Sequence, residues 1–410
     1  MRPLLPWIGY TLVSALSLSL AFAEDWPRFR GEQFNGISTE KNWLGAWPGG
    51  QPRQLWKKNV GTGFASVSIA AGRLFTVGNN GKEDRIYCLD ATSGLEKWVH
   101  AYPEELDPKY YEGGPSATPT VDTDRLYSVS KSGHVFCLET ASGKVIWQKT
   151  FAKDLGLTTP DWGFAGSPHV AGDLLVLNFG QHGLAVKKAS GEVVWSSGKE
   201  AAGYGTPVPF VSTGKQAVAI FGAKEVWAVE TKTGEVLWHH PWKTSYEVNS
   251  ADPIVVGDKM FLSSGYGTGA GVIAFGDGKP SPIWINKEVR SHFSTGVAVG
   301  GFIYAIDGQG GDKDSKLKCL EIATGKVQWT SPSSETGNMT LADGKLIWIT
   351  GRGELIIAEA RPDKYSEVAR AQVTGGKCWT VPVLANGRIY VRNAQGSIVC
   401  LDSKGSGPVI

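Results

Sequence analysis

The sequence has 410 residues, of which 53 are glycine, 16 are tryptophan and 20% are charged. A formal net charge of +2 provides no broad basic surface for a nucleic acid or an anionic membrane, so we expect neither as a partner. The length exceeds the usual range of one domain, and the high glycine content fits a chain built from repeats.

Residues 1–23 have the pattern of a secretory signal peptide. Arg2 precedes an apolar run that contains several serines, and the segment ends in the small-residue pattern Ala21-Phe22-Ala23. A permanent anchor needs about 20 apolar residues and a charged stop, and no later stretch is long and apolar enough to span a bilayer. No cysteine lies at the cleavage site to carry a lipid. We therefore expect an exported monomer, periplasmic or extracellular, without a transmembrane segment.

One unit recurs through residues 54–410, after an N-terminal extension at 24–53. Each copy is a strand, a glycine turn and a second strand that ends in tryptophan, as in 86–98 and 135–147. The anchors of the series are Trp56, Trp98, Trp147, Trp195, Trp238, Trp284, Trp329 and, in a degenerate copy, Val368. Their spacing of about 45 residues is the period of a four-stranded propeller blade. A second hairpin, with a Gly-Asp, Asp-Gly or Asn-Gly turn, lies upstream.

The two ends of the repeat region carry complementary parts of one more blade. The last repeat, 381–402, ends before its tryptophan strand, and the strand of Trp56 lacks the other three. Pairing these parts closes the ring and leaves few sheet edges exposed. The sequence therefore predicts an all-β fold. It is an eight-bladed β-propeller of four-stranded antiparallel blades, closed by pairing the N-terminal strand with the C-terminal blade.

The turn and anchor residues suit their positions for physical reasons. The carboxylate of Asp90 can accept hydrogen bonds from turn amides two residues on, and Gly94 can take the positive φ that the tight turn requires. Each repeated tryptophan is expected to fill the wedge between neighbouring blades while its indole N–H donates to a backbone carbonyl. We therefore predict that these tryptophans are structural.

These units resemble the tryptophan-docking repeats of the pyrroloquinoline quinone (PQQ)-like β-propeller superfamily. The resemblance covers about residues 50–402. It extends to exported PQQ-binding-like repeat proteins that start like Asp25-Trp-Pro-Arg-Phe-Arg-Gly31 and carry segments like 294–296 (Ser-Thr-Gly) and 379–382 (Trp-Thr-Val-Pro). The superfamily includes quinoprotein dehydrogenases and non-catalytic BamB-like propellers. The resemblance implies the propeller fold, but a shared fold does not carry an activity.

A quinoprotein dehydrogenase of this superfamily needs calcium at the quinone, an Asp base and commonly a disulfide between adjacent cysteines. Here no cysteines are adjacent, and four of the five occupy one repeat position in four blades, too far apart to pair. The fifth, Cys378, is the thiol that we expect to be most reactive. The acidic insertion 312–316 contains two lysines and lacks the later acid of a calcium loop. We therefore expect no cofactor, no metal and no catalytic residue. The alternative is PQQ with calcium and Asp252 as the base.

One set of residues is left as a candidate site. In a propeller the segments that lead into the innermost strands meet at one mouth of the central channel, and here they are rich in large polar and aromatic residues. The candidate ligand-binding residues are Trp162, Tyr204, Tyr246, Asn249, Asp252, Arg290, His292, Asn338, Lys377 and Trp379. Such a mouth suits a small polar ligand, a sugar, a peptide segment or a quinone. Alternatively, these side chains plug the channel and satisfy one another.

The repeats account for nearly the whole chain and leave little sequence for a catalytic insertion. We therefore favour a non-catalytic binding or assembly scaffold, similar to BamB but without a lipid anchor, with a protein or a small polar ligand at the propeller mouth. A second hypothesis is a PQQ-dependent alcohol or sugar dehydrogenase, or another PQQ-binding protein, which the resemblance implies. A third is a carbohydrate-binding propeller, which rests on the Trp and Tyr content of the mouth.

Overall fold

The computed structural model describes residues 24–404, so the predicted signal peptide at 1–23 lies outside the described residues. The described chain forms eight sheets that are the blades of a propeller. Within each blade, consecutive strands pair antiparallel, as the alternation and the turn residues predicted. The prediction of an all-β, eight-bladed propeller is confirmed.

The blades follow one another along the chain. The strands of blades 1 to 4 are Ser68–Ala70, Arg73–Asn79, Glu83–Asp90 and Glu96–Pro103; Thr120–Asp122, Arg125–Val129, His134–Glu139 and Val145–Thr150; His169–Ala171, Leu174–Leu177, Leu184–Lys187 and Val193–Ser196; and Val208–Ser212, Lys215–Phe221, Glu225–Glu230 and Val236–Pro241. The strands of blades 5 to 8 are Ile254–Val256, Lys259–Ser264, Gly269–Ala274 and Ser281–Asn286; Val297–Val299, Phe302–Asp307, Lys316–Glu321 and Val327–Thr330; Asn338–Ala342, Lys345–Ile349, Glu354–Glu359 and Glu367–Gln372; and Val383–Ala385, Arg388–Arg392, Ser397–Asp402 and Gln54–Asn59. A short α-helix, Phe151–Leu155, and a 3-10 helix, Ser245–Glu247, lie between blades.

The ring closes through the two ends of the repeat region. Gln54–Asn59 pairs antiparallel with Ser397–Asp402 and places Trp56 opposite Cys400, so the N-terminal strand is the outer strand of blade 8. The first strands of neighbouring blades pack against one another, as in blades 1 and 2, and therefore line the central channel. This closure was predicted from the incomplete repeats and is confirmed.

The repeated tryptophans join each blade to the next. Six of the seven donate their indole N–H to a backbone carbonyl of the following blade, at 2.7–3.2 Å; for example, Trp147 donates to the carbonyl of Lys188 at 2.9 Å. Trp238 donates instead to Ser212 Oγ of its own blade, where the following turn, 276–280, departs from the repeat. The wedge prediction is therefore confirmed, with one exception that a sequence irregularity explains.

The five cysteines are free and buried, and four of them occupy equivalent positions in separate blades, as expected. Cys378 is buried as well, and its thiol donates weakly to the carbonyl of Gly376. Burial raises the pKa of the Cys378 thiol to about 12. The expectation that Cys378 is the reactive thiol is wrong, because a buried thiol that stays protonated is a poor nucleophile.

The N-terminal extension enters the central channel and contacts the inner strands of four blades and the segment that leads into the inner strand of blade 6. Its contacts, from blade 1 to blade 7, are Trp26 with Ile69, Pro27 with Val121, Phe34 with His169, Arg30 with Thr295, and Ile37 with Leu341. Trp26 exchanges two backbone hydrogen bonds with Ile69, both of 2.8 Å, and Ile37–Ser38 adds a short parallel strand to blade 7. This segment therefore fills the channel below the mouth.

Candidate ligand cavity at the propeller mouth

A cavity of about 790 Å³ lies at the mouth of the channel. Its aromatic lining consists of Phe29, Phe64, Tyr110, Tyr111, Trp162, Tyr204, Tyr246, Tyr266, Phe293 and Trp379. Seven of the ten predicted site residues also line it, namely Trp162, Tyr204, Tyr246, Asp252, His292, Asn338 and Trp379. The tertiary structure thus brings together residues from most of the blade-entry segments.

Three predicted site residues do not line this cavity. Asn249 is fully buried, and its side-chain amide donates to the carbonyls of Gly222 and Ala223, which holds two loops together. Arg290 donates from Nε to Asp307 at 2.9 Å. Lys377 binds Glu112 at 2.8 Å and lies 4.5 Å above the ring of Trp379, beside a smaller neighbouring pocket. Each of the three has polar partners within the protein.

A chain of hydrogen bonds runs round the inner mouth from blade to blade. At one equivalent position in blades 1 to 5, the backbone N–H donates to the side-chain oxygen of the next blade. The successive pairs are Ser66 to Thr118, Thr118 to Ser167, Ser167 to Thr206, Thr206 to Asp252, and Asp252 to Thr295, at 2.7–3.1 Å. Four of these five acceptors are hydroxyl groups, so the position requires only one acceptor oxygen. Asp252 is the exception, because it supplies a carboxylate where a hydroxyl suffices.

The Asp252 carboxyl is buried next to the buried guanidinium of Arg30. Its Oδ1 accepts the Thr206 N–H at 2.7 Å, and no hydrogen bond to Oδ2 is found within residues 24–404. Burial raises the pKa of Asp252 to about 7, against the opposing effects of the Arg30 charge and the Thr206 hydrogen bond. The carboxyl therefore changes charge near neutral pH.

Arg30 lies beneath the cavity and does not line it. Its guanidinium is buried and donates to the backbone carbonyls of Asn35, Thr295 and Gly296 at 2.8–3.1 Å. Burial lowers the pKa of this guanidinium to about 10, although Asp252 opposes the shift. Phe29, the preceding residue, lines the cavity. Sequence reasoning did not place either residue in the site, although both lie in the segment 25–31 that carries the family resemblance.

The aromatic rings of the cavity lining are arranged differently on its two sides. Trp162 and Tyr204 lie 6.1 Å apart with ring planes at 68°, and Tyr246 and Tyr266 lie 5.4 Å apart at 69°. On the opposite side, Trp379 stacks on Phe64 at 5.3 Å. Phe293 also packs on Trp379, at 4.7 Å with ring planes at 35°, so this side of the cavity is a stack of three rings.

His292 stands between two walls of the cavity as a neutral side chain. Its Nδ1 accepts the Gly310 N–H at 3.2 Å, and its ring packs edge-on against Tyr266. Burial lowers the pKa of His292 to about 4, and Asp312 only partly opposes the shift. The imidazole therefore adds a polar edge to the cavity at neutral pH without adding a charge.

The alternative interpretation required the side chains of the mouth to fill it. They leave a cavity instead. The N-terminal extension occupies the channel below, while the rim residues border an open cavity above. Some rim groups do bond to neighbouring backbone, as Asn338 does to the carbonyl of Trp379 at 3.3 Å. The channel is thus plugged from the other side.

The family model described as outer membrane protein assembly factor BamB matches residues 104–331 and 313–407, which is more than half of the chain. The chain belongs to the BamB family. No curated protein matches this member of the family. In addition, no helix among residues 24–404 is long and apolar enough to cross a membrane.

Several solved structures are similar in fold. BamB from Moraxella catarrhalis aligns with a TM-score of 0.62 at 14% identity, over 85% of this chain and 97% of that chain. The quinohemoprotein alcohol dehydrogenase from Comamonas testosteroni aligns with a TM-score of 0.71 at 12% identity, over 94% and 82%. A europium-containing methanol dehydrogenase aligns with a TM-score of 0.63 at 11% identity, over 92% and 89%. At these identities the similarity establishes the fold alone.

The residues of the cavity do not suit a quinone of the PQQ type with calcium. PQQ is a polycarboxylate, and the charged groups of the lining are one lysine, Lys109, and two carboxyl groups, Asp161 and Asp252. Within residues 24–404, no three His, Cys, Asp or Glu side chains converge into a set that could hold a metal ion. A calcium ion takes six to eight oxygen ligands, of which carboxylates are the usual anchors.

Proposed function

We propose that this protein is an exported, non-catalytic propeller that binds a segment of a partner protein in the mouth cavity. The observation that carries the proposal is the cavity of about 790 Å³, bordered by ten aromatic side chains above a floor that the N-terminal extension closes. Aromatic residues dominate the energetic centres of protein interfaces, because they bury a large area at a low entropic cost. Membership of the BamB family supports a role in protein binding.

The state of the polar groups favours binding over catalysis. Oδ1 of Asp252 is occupied by a structural hydrogen bond from Thr206, and the neutral His292 already accepts the Gly310 N–H. A general base must reach the proton that it removes and be held by an orienting partner. The Thr206 N–H holds Oδ1 of Asp252, but no side chain of residues 24–404 donates to this carboxyl, since Arg30 donates to backbone carbonyls instead.

Site-specific crosslinking in cells tests the proposal. A photoreactive amino acid replaces Tyr110, a fully exposed lining residue, and as a matched control it replaces Ile285, which is exposed on the outer strand of blade 5. We expect a discrete crosslinked protein band from position 110 and none from position 285. Mass spectrometry of the mature chain should also show an N-terminus at Glu24.

Two outcomes would overturn this function. One is the absence of any crosslink from position 110 and also from position 246, where Tyr246 is the second exposed aromatic residue of the cavity lining. The other outcome is dye-linked oxidation of an alcohol or a sugar by the purified protein with PQQ and calcium, provided that Asp252→Asn abolishes it. Saturable binding of a glycan, with no protein crosslink, would favour the carbohydrate-binding hypothesis instead.

A further inference from the structure

The charged groups that line the mouth cavity are unevenly available to a ligand. Lys109 is engaged, because its Nζ donates to the Asp161 carbonyl at 2.9 Å and lies 3.5 Å from the Asp107 carboxylate. The Asp161 side chain is exposed at the rim, and the Asp252 carboxyl lies at the floor. A group that enters the cavity therefore meets two carboxyl groups and an ammonium group that already has partners.

Asp252 departs from the repeat at a position where a departure is costly. The residue is 5% exposed. In blades 2, 3, 4 and 6 a hydroxyl group accepts the equivalent backbone N–H of the previous blade. Burying a carboxylate costs far more than burying a hydroxyl. The raised pKa of about 7 indicates that the surrounding protein, Arg30 included, compensates the charge incompletely. Arg30 does not line the cavity, whereas Asp252 does, so a ligand meets the carboxyl and not the guanidinium.

The arrangement of the rings suits a compact cation. Ring faces carry negative potential and attract ammonium and guanidinium groups, most strongly when the site excludes water. The pairs Trp162–Tyr204 and Tyr246–Tyr266 meet edge to face, and all four rings border the cavity.

We infer that the mouth cavity binds a basic side chain, an arginine or a lysine, presented by the partner segment. The inference rests on the proposed function and specifies the chemistry of the occupant. The aromatic walls supply cation–π contacts, while Asp252 at the floor and Asp161 at the rim supply opposite charge. The cavity volume of about 790 Å³ also leaves room for the backbone on both sides of that side chain.

A pair of short peptides that differ only in charge tests the inference. The probes are acetyl-Gly-Arg-Gly-amide and its citrulline analogue, which replaces the guanidinium with a neutral group of nearly the same shape. Calorimetric titration of the mature protein should give an arginine peptide that binds about tenfold or more tightly than the citrulline peptide. Added salt should weaken the arginine peptide more than its analogue.

Matched variants locate the effect. Asp252→Asn keeps the acceptor for Thr206 and removes the charge, and it should abolish most of the preference for arginine. Asp258→Asn makes the same change at an exposed turn of the same blade and should preserve it. Tyr246→Asn removes an exposed ring, and asparagine tolerates the positive φ of 64° at this position. It should weaken arginine binding even if the Asp252 variant folds poorly.

The outcomes separate the inference from the function on which it rests. Equal binding of both peptides, or binding of neither, overturns the basic-side-chain inference. If position 110 still crosslinks to a protein in that case, the proposed function stands and the partner segment is neutral or acidic. A preference for arginine that persists in both Asp252→Asn and Tyr246→Asn would place the basic group at another surface and would also overturn the inference.

Discussion

The outer wedges and the inner mouth use tryptophan in opposite ways. Trp147 is 8% exposed, and its indole N–H is bound to the Lys188 carbonyl of the next blade. Trp162 at the mouth is half-buried, and no hydrogen bond of its indole N–H is found in the described part of the chain. The comparison teaches that the repeat register assigns Trp147 to the contact between blades, whereas Trp162, outside that register, keeps part of its ring at the cavity.

The same contrast holds for polar residues of the inner ring. Thr118, Ser167 and Thr206 each precede a proline and each accept one hydrogen bond from the previous blade. Asp252 also precedes a proline and does the same work with one oxygen, which leaves a second carboxylate oxygen over. Asp252 therefore departs from the repeat in its side-chain chemistry while it keeps the structural hydrogen bond.

The largest expected difference between the two regions is in stability. Trp147→Ala should lower the free energy of unfolding by roughly 3–5 kcal/mol, because it removes a buried ring and leaves the Lys188 carbonyl without its donor. Trp162→Ala should cost less than about 1 kcal/mol, because the ring is partly exposed. Chemical denaturation of both variants measures the difference. Equal losses would contradict the division between structural and available tryptophans.

The charge of Asp252 should appear as a pH dependence of stability. Its pKa is about 7 in the folded protein against 3.8 ordinarily, so the folded state holds the proton more tightly. The stabilisation is present below pH 3.8 and is lost as the pH rises towards 7, by at most about 4 kcal/mol. Asp252→Thr keeps an oxygen acceptor for the Thr206 N–H and should remove this pH dependence.

The measurement is the difference in unfolding free energy between wild type and Asp252→Thr at several pH values. Subtraction removes the contributions to the pH dependence from groups that both proteins share. These include His292, Asp161 and Lys109 of the cavity and Arg30 beneath it. The wild type should lose stability relative to the variant between pH 4 and pH 7 and change little above that range. A constant difference would mean that Asp252 stays ionised throughout.

The smallest expected difference in stability is between two turn glycines of the outer layer. Gly143 has φ 73°, and an added Cβ would lie 2.6 Å from the Trp98 ring; Gly214 has φ 79° with nothing within 4 Å. Gly214→Ala should cost about 1–2 kcal/mol for the left-handed backbone alone. Gly143→Ala should cost about 1–3 kcal/mol more, because the ring must move. Thermal denaturation of both variants compares the two costs. Equal costs would show that the close contact between Gly143 and the Trp98 ring does not contribute to stability.

The candidate site was predictable only in part. The mouth position of Trp162, Tyr204, Asp252 and Trp379 follows from their place just before an inner strand, since every blade brings that segment to the same rim. The partners of Asn249 and Arg290 do not follow, because amide and guanidinium groups bind whichever carbonyl or carboxylate the folded chain brings near. The role of the candidate residues in binding stays a prediction.

The repeat alone determined the number of blades, the antiparallel pairing and the closure of the ring. Strand pairing within a blade is local in the chain, and the turn glycines and the tryptophan anchors set its register at every copy. Only the tertiary structure decided what lies inside the ring. Arg30 and Asp252 are far apart in sequence and belong to different patterns. The packing of the N-terminal extension in the central channel, not a local propensity, brings the charge of Arg30 close to the Asp252 carboxyl that lines the cavity.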